Sequence, residues 1–372
     1  MIKDKISVIM PTYNHGLFVE KAMRSVLGQR DVDFEFLIAD DGSSDNTRDV
    51  VSSINDSRIS FFPNTVNRGA CVVTNELIER SCGEYIALIN SDDVWVEDKL
   101  SYQLKVMQAN PELAACFGRA RFVDKDGSEI NKETLLFGQI FDKENKTRGE
   151  WLRYFFEHGN CLCHPTIMAR KTVYDNVGLF SNRLRQLPDF EMWIRFIKQY
   201  PIFVSEHELI NFRILAGENA SSQSEQNTIR TLNEHFLIAS SFFNDVTAEL
   251  FLEAFSDILE KRLIPTKQHL DVEKALLFFR PNQWLGNPYK MVGLLELNTL
   301  LNSETHRKIL NDEHGIDDRW YQNKMGEIDV LCLKPTCSDE VVHRDREVKG
   351  KRDIWFAIKE RILSTVSRNR VN

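Results

Sequence analysis

The sequence predicts an α/β protein, a mostly parallel sheet flanked by helices and followed by an α-helical C-terminal region. Three observations carry that expectation. Short runs rich in β-branched and aromatic residues alternate with amphipathic stretches through the N-terminal third, the pattern of strand–helix–strand crossovers with helices on both sheet faces. From about Glu225 strand signals stop and the pattern is wholly helical. Polar, often acidic clusters follow the early strand candidates, where sheets of this kind bind ligands. At 372 residues the chain should hold about two domains. The divisions read from composition are a sheet domain at 1–224, a helical region at 225–311, an irregular polar linker at 312–350 and a tail helix at 351–372.

In order, ISVIM (6–10) reads as a strand, and in LFVEKAMRSVLGQ the residues Phe18, Ala22 and Val26 share one helical face with Val19, Met23 and Leu27 beside them. FEFLIA (34–39) is a second strand and NTRDVVSSI a second helix. ISFF (59–62) is a third strand, followed by GACVVTNELIERS, where Val73 and Leu77 lie one turn apart. YIALIN (85–90) is the fourth strand. A helix from about Glu97 to Gln108 and the strand-like AACFGRARFVD follow, then a polar, irregular loop at 131–149. Mixed signals resume through TIMARKTVY, PDFEMWIRFIKQY and FVSEHELINFRI. The helical region contains NTIRTLNEHFLIASSFF and LFLEAFSDILEKRL.

Composition narrows the function. Hydrophobic residues at 42% and aromatics at 10% support a sizeable core. A net charge of −8 is the wrong sign for a protein that grips nucleic acid through phosphates, so nucleic acid is not an expected partner. No charged-then-apolar leader precedes Ile6 and no apolar run is long enough to cross a bilayer, so the expected location is cytoplasmic. Seven cysteines in so long a chain do not form a disulfide pattern. Cys161-Leu162-Cys163-His164 and Cys332…Cys337…His343 lack the paired knuckles of a zinc site, and read as lone thiols. Residues 344–372 carry nine Lys/Arg against four Asp/Glu, a local +5 that leaves −13 on the remainder.

Two familiar phosphate-binding schemes are absent. No two glycines stand two residues apart, which excludes GxGxxG, and there is no GxxxxGK[ST]. DDGSSDNT fails as a calcium loop begun at Asp41, because the sixth position is Asn46 and the twelfth Ser52. What remains are four strand-end clusters: Pro11-Thr12-Tyr13-Asn14, Asp40-Asp41-Gly42-Ser43-Ser44-Asp45, Asn67-Arg68-Gly69 and Asn90-Ser91-Asp92-Asp93. Each alone reads equally as a turn or helix cap. In a parallel sheet all four converge on one crevice, where neighbouring acids repel unless a cation or hydrogen-bond donors offset them.

VIMPTYN, IADDGSSDNT, the NRG turn and LINSDDVW, in this order, resemble family-two glycosyltransferases with the GT-A fold, of the bacterial surface-polysaccharide type. The resemblance runs over roughly the first 220 residues. HPTIMARK, PDFEMWIRF and INFRI resemble the family's acceptor-side segments. It implies a GT-A-like, Rossmann-like domain at 1–224 that binds a nucleotide-sugar. Pro11, Thr12, Tyr13, Asn14 and Asp40 or Asp41 would line the nucleoside pocket. Asn67, Arg68, Gly69, Asn90, Ser91 and Arg213 would lie near the base, ribose or diphosphate. Asp92 matches the last acid of the family's Asp-x-Asp motif and Asp93 follows it, implying Mn²⁺ or Mg²⁺ on the diphosphate. Asn90 stands where the motif's first acid is expected, Thr74 where many relatives have arginine, and Leu215 where a histidine is frequent.

Displacement at an anomeric carbon needs a base for the acceptor hydroxyl. Asp189 matches the second acid of the family's Glu-Asp pair and is the implied base, with Pro188 replacing the first. Proline then aspartate is equally a good helix start. His164, Glu191 and Trp193 are the acceptor-side candidates; strand capping is the alternative for His164 and core packing for Trp193.

In RDIWFAIKERILSTVSRNR, Trp355, Ile358, Ile362 and Val366 share one face beside Lys351, Arg352, Lys359 and Arg361. Such a basic amphipathic helix suits the surface of an anionic membrane, at the inner face, or docking on protein. The resulting expectation is an inverting, metal-dependent glycosyltransferase taking a nucleotide-diphosphate sugar, a UDP-sugar first, to a glycan or lipid-linked saccharide. The alternatives are a catalytically degenerate nucleotide-sugar-binding scaffold and a nucleotidyltransferase; PTYNHG lacks the glycine-rich basic loop of the latter.

Overall fold

The computed structural model describes residues 1–215, 224–260, 265–280 and 284–328. The expected tail helix at 351–372 lies outside the described residues, as does the later part of the expected linker.

The first half of the sheet is built as the alternation predicts. Strand β1 (Ile2–Thr12) leads to helix α1 (Val19–Leu27), β2 (Phe34–Asp40) to α2 (Thr47–Ser53), and β3 (Ile59–Pro63) to α3 (Ala70–Arg80), before β4 (Gly83–Leu88). Then come β5 (Val94–Trp95), α4 (Lys99–Ala109), β6 (Ala115–Val123), α5 (Arg148–His158), β7 (Met168–Arg170), α6 (Lys171–Val177), α7 (Pro188–Gln199) and β8 (Ile202–Arg213). The sheet order is β3-β2-β1-β4-β7-β6-β8-β5. β1, β2, β3 and β4 run parallel, as do β6 and β8, whereas β7 is antiparallel to β4 and β6, and β5 to β8. The parallel register sets Thr12 beside Asp40, and Asp40 beside Pro63, so three strand ends share one rim.

Both sheet faces are buried, which is why the strands read as continuous apolar runs. On one face Ile9, Leu37, Ala39, Ile86 and Leu88 pack with Val73 and Leu77 of α3. On the other Val8, Met10, Phe36, Ile38 and Ala87 pack with Val19, Ala22, Met23 and Val26 of α1.

Helix α5 begins inside the stretch expected to be loop. Thr147 and Glu150 form a reciprocal capping box at its start, worth about 1 kcal/mol. The helix buries Trp151, Leu152, Phe155 and Phe156. The helical region supplies α8 (Glu225–Ser240), α9 (Ala248–Phe255), α10 (Lys267–Leu277), α11 (Asn287–Leu301), α12 (Glu304–His314) and α13 (Asp318–Glu327). The last two correct the expected linker over 312–327. Their apolar residues are sparse, but Leu310 and Ile316 are buried and Trp320 packs edge-on against Phe279. Gly315 ends α12 in the left-handed conformation at φ 65°, and the Asp317 side chain caps α13 by accepting from Trp320 N.

Phe156 of α5 is where the helical region meets the sheet domain. Its ring packs against Phe242, Phe243, Phe255, Phe278 and Tyr289. Its carbonyl accepts from Trp284 Nε1 at 2.9 Å and Tyr289 Oη at 2.7 Å. One continuous core therefore spans residue 224. Among the described residues no helix is long and apolar enough to cross a membrane.

Candidate active site

The loops after β1 and β2 are stitched together. Asn14 N donates to Ser43 Oγ at 2.8 Å and Asn14 Oδ1 accepts from Ser44 N at 2.8 Å. His15 N donates to Thr47 Oγ1 at 2.9 Å and Gly16 N to Asp45 Oδ2 at 2.9 Å. Asn14 holds φ at 53°, a conformation asparagine tolerates better than most residues. Gly42, at φ 78°, lies so close to the next strand-end loop that a Cβ would sit 2.6 Å from Val66 C.

At the rim Asp40 is fully buried, its Oδ2 accepting from Arg48 Nε at 2.6 Å and Ser43 N at 3.1 Å. Its Oδ1, like Thr12 Oγ1 beside it, is buried with no partner among the described residues. Asp41 accepts from Arg68 N and Gly69 N, each at 2.8 Å, so it fixes the turn after β3. The Arg68 guanidinium is engaged by Glu76, and Glu76's hydrogen bonds hold it above its usual range. Pro11 is half-buried, and Tyr13 and Asn67 are exposed at the mouth.

The turn after β4 separates its two acids. Asp93 is fully buried: its Oδ1 accepts from Arg213 N at 2.9 Å and its Oδ2 from Asn90 Nδ2 at 3.0 Å. Burial and the charge of Asp92 push its carboxyl well up. Each Asp93 oxygen thus spends an acceptor site in bracing the turn, which leaves Asp92 the better placed of the two expected ligands. Asp92 differs: no other described residue donates a hydrogen bond to its carboxylate. Burial pushes it up, with His15 and Arg213 acting in the opposite direction. Ser91 is buried, and its Oγ lies 2.7 Å from His15 Nδ1, so His15 belongs to the site although the sequence reading passed it over.

Arg213 is engaged within the protein. It is 2% exposed, and its guanidinium donates to Asp92 O at 2.8 Å, Asp124 O at 2.7 Å and Lys125 O at 2.8 Å. It ties β8 to the β4–β5 turn.

Asp189 sits in the first turn of α7. Its Oδ2 accepts from Asn160 Nδ2 at 2.8 Å and its Oδ1 from Phe190 N at 2.8 Å. Burial pushes its carboxyl up, partly offset by His164 and these hydrogen bonds. Cys163 lies between this residue and the β4 turn: burial, then the carboxylates of Asp93 and Asp189, push its thiol well up. His164 is held below its usual range by burial, and its Nε2 is buried without a partner among the described residues.

The other two acceptor-side candidates do not reach the crevice. Trp193 is fully buried, edge-on to Phe117 at 4.8 Å, and is core. Glu191 is occupied by Arg195, accepting at 2.8 Å from both Nε and a terminal nitrogen.

The loop into α7 is anchored twice by residues that the sequence reading did not single out as functional. Asn75 of α3 donates to Phe180 O at 2.8 Å and accepts from Phe180 N at 3.0 Å. Glu234 of α8 accepts from Arg185 N at 2.9 Å and from Gln186 N and Leu187 N at 2.8 Å. A mid-helix glutamate carries no local sign of such a task.

Does the site fit a divalent cation? Among the described residues no group of three His, Cys, Asp or Glu is clustered for one. Mg²⁺ in phosphate sites commonly takes only one or two carboxylates, the rest coming from substrate oxygens and water. Asp92, with its carboxylate free of other residues' donors, together with the amide oxygen of Asn90, fits that role.

A sheet that gathers acids at parallel strand ends, with a separate half-buried carboxylate at a helix start, fits a transferase of the GT-A class. Residues 7–177 match the family described as Glycosyl transferase family 2. Over 250 residues the chain is 37% identical to the putative teichuronic acid biosynthesis glycosyltransferase TuaG of Bacillus subtilis (strain 168), covering 65% of this chain and 94% of TuaG. The chain belongs to glycosyltransferase family 2. It is 26% identical over 249 residues to the UDP-Glc:alpha-D-GlcNAc-diphosphoundecaprenol beta-1,3-glucosyltransferase WfgD of Escherichia coli, covering 66% of this chain and 89% of WfgD. It spans 44% of the length of an uncharacterized Rickettsia conorii glycosyltransferase to which it is 28% identical, that match covering 75% of this chain. The solved structure of S. aureus TarS 1–349 in complex with UDP shares the fold at a TM-score of 0.53 and 17% identity, covering 87% of this chain and 91% of that one.

Proposed function

We propose that this glycosyltransferase is inverting and divalent-cation-dependent, and moves a sugar from a UDP-sugar to a hydroxyl of a glycan or lipid-linked saccharide in surface polysaccharide synthesis. The observation that carries the reading is the pair of unlike aspartates. Asp92, buried at the strand ends, accepts from no other described residue's side chain or backbone, whereas Asp189, half-buried at the start of α7, is held by Asn160 and the Phe190 N–H; desolvation pushes both carboxyls up. TuaG and WfgD, by their names, support polysaccharide synthesis, a UDP-sugar and a lipid-diphosphate acceptor. A lipid-linked acceptor would place the reaction at the cytoplasmic face of the membrane.

In the proposed mechanism Tyr13 stacks on the base, and Asp40 Oδ1 and Thr12 Oγ1, without a partner among the described residues, meet its polar edge. Asp92 and the Asn90 amide oxygen would hold Mn²⁺ or Mg²⁺, which when bound would supply positive charge to the leaving diphosphate. Asp189 takes the proton of the acceptor hydroxyl as that oxygen bonds to the anomeric carbon. The bond from that carbon to the diphosphate breaks on the opposite side, so configuration inverts and the nucleoside diphosphate leaves. Asn160 holds the carboxylate in place while its burial raises its basicity.

Calorimetric titration with UDP, GDP, dTDP and CDP, each with Mn²⁺ and with chelator, tests this. UDP alone should bind, with metal, and Asp92→Ala should abolish that binding. Metal-independent binding, or a different nucleotide, would overturn the corresponding part.

A further inference from the structure

We infer that the acceptor carries an anionic group, held by Arg183, Arg185 and Arg230 in a cavity beside the loop that delivers Asp189. This rests on reading α7 as the acceptor side. The cavity, of ≈430 Å³, lies between that loop and α8 and is lined by these arginines with Gln226, Ile229 and Glu234, among others. None of its lining residues comes from the strand ends that hold the donor.

Three features separate it from an ordinary solvated basic face. First, the one acid among its described lining residues is engaged: Glu234 is 4% exposed and its carboxylate takes the backbone N–H groups of Arg185, Gln186 and Leu187. Second, Arg183 and Arg185 pair with no carboxylate among the described residues, and Arg230 donates to the neutral amide oxygen of Asn227 at 2.8 Å. Three guanidinium groups against the single carboxylate of Glu234 leave the described lining net positive, and an oxyanion balances that charge while matching their planar donor fork. Third, the cavity wall is also the scaffold of the base. Arg185 precedes Asp189 by four residues. Cys71, whose thiol donates to Leu184 O at 3.6 Å, is pushed up to about 11 by burial, then by the carboxylates of Asp189 and Glu234. This half-buried thiol thus lies within electrostatic reach of both Asp189 and Glu234. Ile229, 53% exposed, offers the adjoining apolar surface that a pyranose ring can cover.

The chemistry expected is a phosphate or carboxylate on the acceptor saccharide close to the reacting hydroxyl. The test uses the full chain saturated with UDP and Mn²⁺, so that the donor site is filled. N-acetylglucosamine 1-phosphate, glucuronic acid and N-acetylglucosamine are then titrated in turn. At least one anionic sugar should bind tenfold or more tightly than the neutral one, and less tightly as salt rises. The better of the two tells phosphate from carboxylate. Joint substitution Arg185→Ala and Arg230→Ala should weaken that binding at least tenfold and leave UDP affinity unchanged, which also reports an intact fold. Equal binding of charged and neutral sugars, binding of none, or an undiminished affinity in the variant would overturn the inference. Failure of UDP itself to bind would count against the donor reading alone, and the same three sugars without UDP would still test the arginines.

Discussion

Asp189 is a carboxylate whose surroundings penalise its charge, and this has two measurable consequences. Its raised pKa should carry the acid limb of the pH–rate profile above the range of an ordinary carboxylate. Asp189→Asn should bind UDP normally and lose transfer by at least a hundredfold, the limb vanishing with whatever rate remains. The sign for stability runs the other way. A folded-state pKa above the unfolded value means the native state binds more protons, so stability falls as pH rises from the unfolded value through the folded one. Asp189→Asn loses one of two acceptor oxygens but no longer carries that charge, so its melting temperature relative to the parent should rise as pH rises through this range, which differential scanning calorimetry would show.

Lys99 gives the mirror case. It is fully buried, donates to Gln103 Oε1 at 2.7 Å, lies 4.1 Å from the Trp95 ring centroid, and burial pushes it down to about 7. Its cost to folding grows as pH falls from the normal lysine range to about 7. The melting temperature of Lys99→Met relative to the parent should rise over that interval and level off below it; a pH-independent difference would show that Lys99 is paired in the native state.

At this scale the sequence marked residue types well and orientations poorly. Asp92 and Asp93 are neighbours of one kind, yet a turn sends one to the rim and the other inward to Arg213 N. Nothing in SDD distinguishes them. Arg213 shows the same limit, since a strand-end arginine reads alike whether it faces a diphosphate or three carbonyls.

Among elements, the loop from Gly178 to Leu187 decides where the base stands. It has little regular structure and takes its position from α3 through Asn75 and from α8 through Glu234. Glu234→Gln keeps the shape but leaves one acceptor oxygen for three N–H donors, a loss of about 1–3 kcal/mol where donors are left unsatisfied. Transfer should drop in kcat with UDP affinity unchanged; a loss of UDP affinity instead would show that the loop also supports the donor site. The strands and helices of the first hundred residues were legible because each buried face repeats a period. α5 was not, although Thr147 and Glu150 spell its cap, because its apolar cluster follows a polar run that reads as loop. α12 and α13 were missed for the opposite reason: one buried leucine and the partly buried Ile309, Trp320 and Tyr321 suffice for them, too few for a periodic signal.

For the whole molecule, the position of residue 224 in the core matters most. The composition changes there, and the sequence reading drew a boundary, but the aromatic cluster around Phe156 crosses it. A chain ended at 224 would expose the Phe156 face and its carbonyl, so it should aggregate or melt well below the full chain, as light scattering and calorimetry would report. The double-sided burial of β1, β2 and β4 shows why the first half of the fold could be read from one sequence: the sheet core is local to it. The second half depends on contacts more than a hundred residues apart, such as Trp284 to Phe156, which no window records.

That shared carbonyl also sets a rule for recombination. A chimera that exchanges the helical segment with a relative's at residue 224 would import an indole and a phenol with no acceptor cut to receive them. A crossover placed ahead of Thr147 would carry α5, the Asp189 helix and the helices behind them as one cassette. Strands β7 and β8 travel with it, so such a hybrid keeps the Phe156 cluster but must re-form the β4–β7 and β6–β8 ladders and the bond from Arg213 N to Asp93 across the junction.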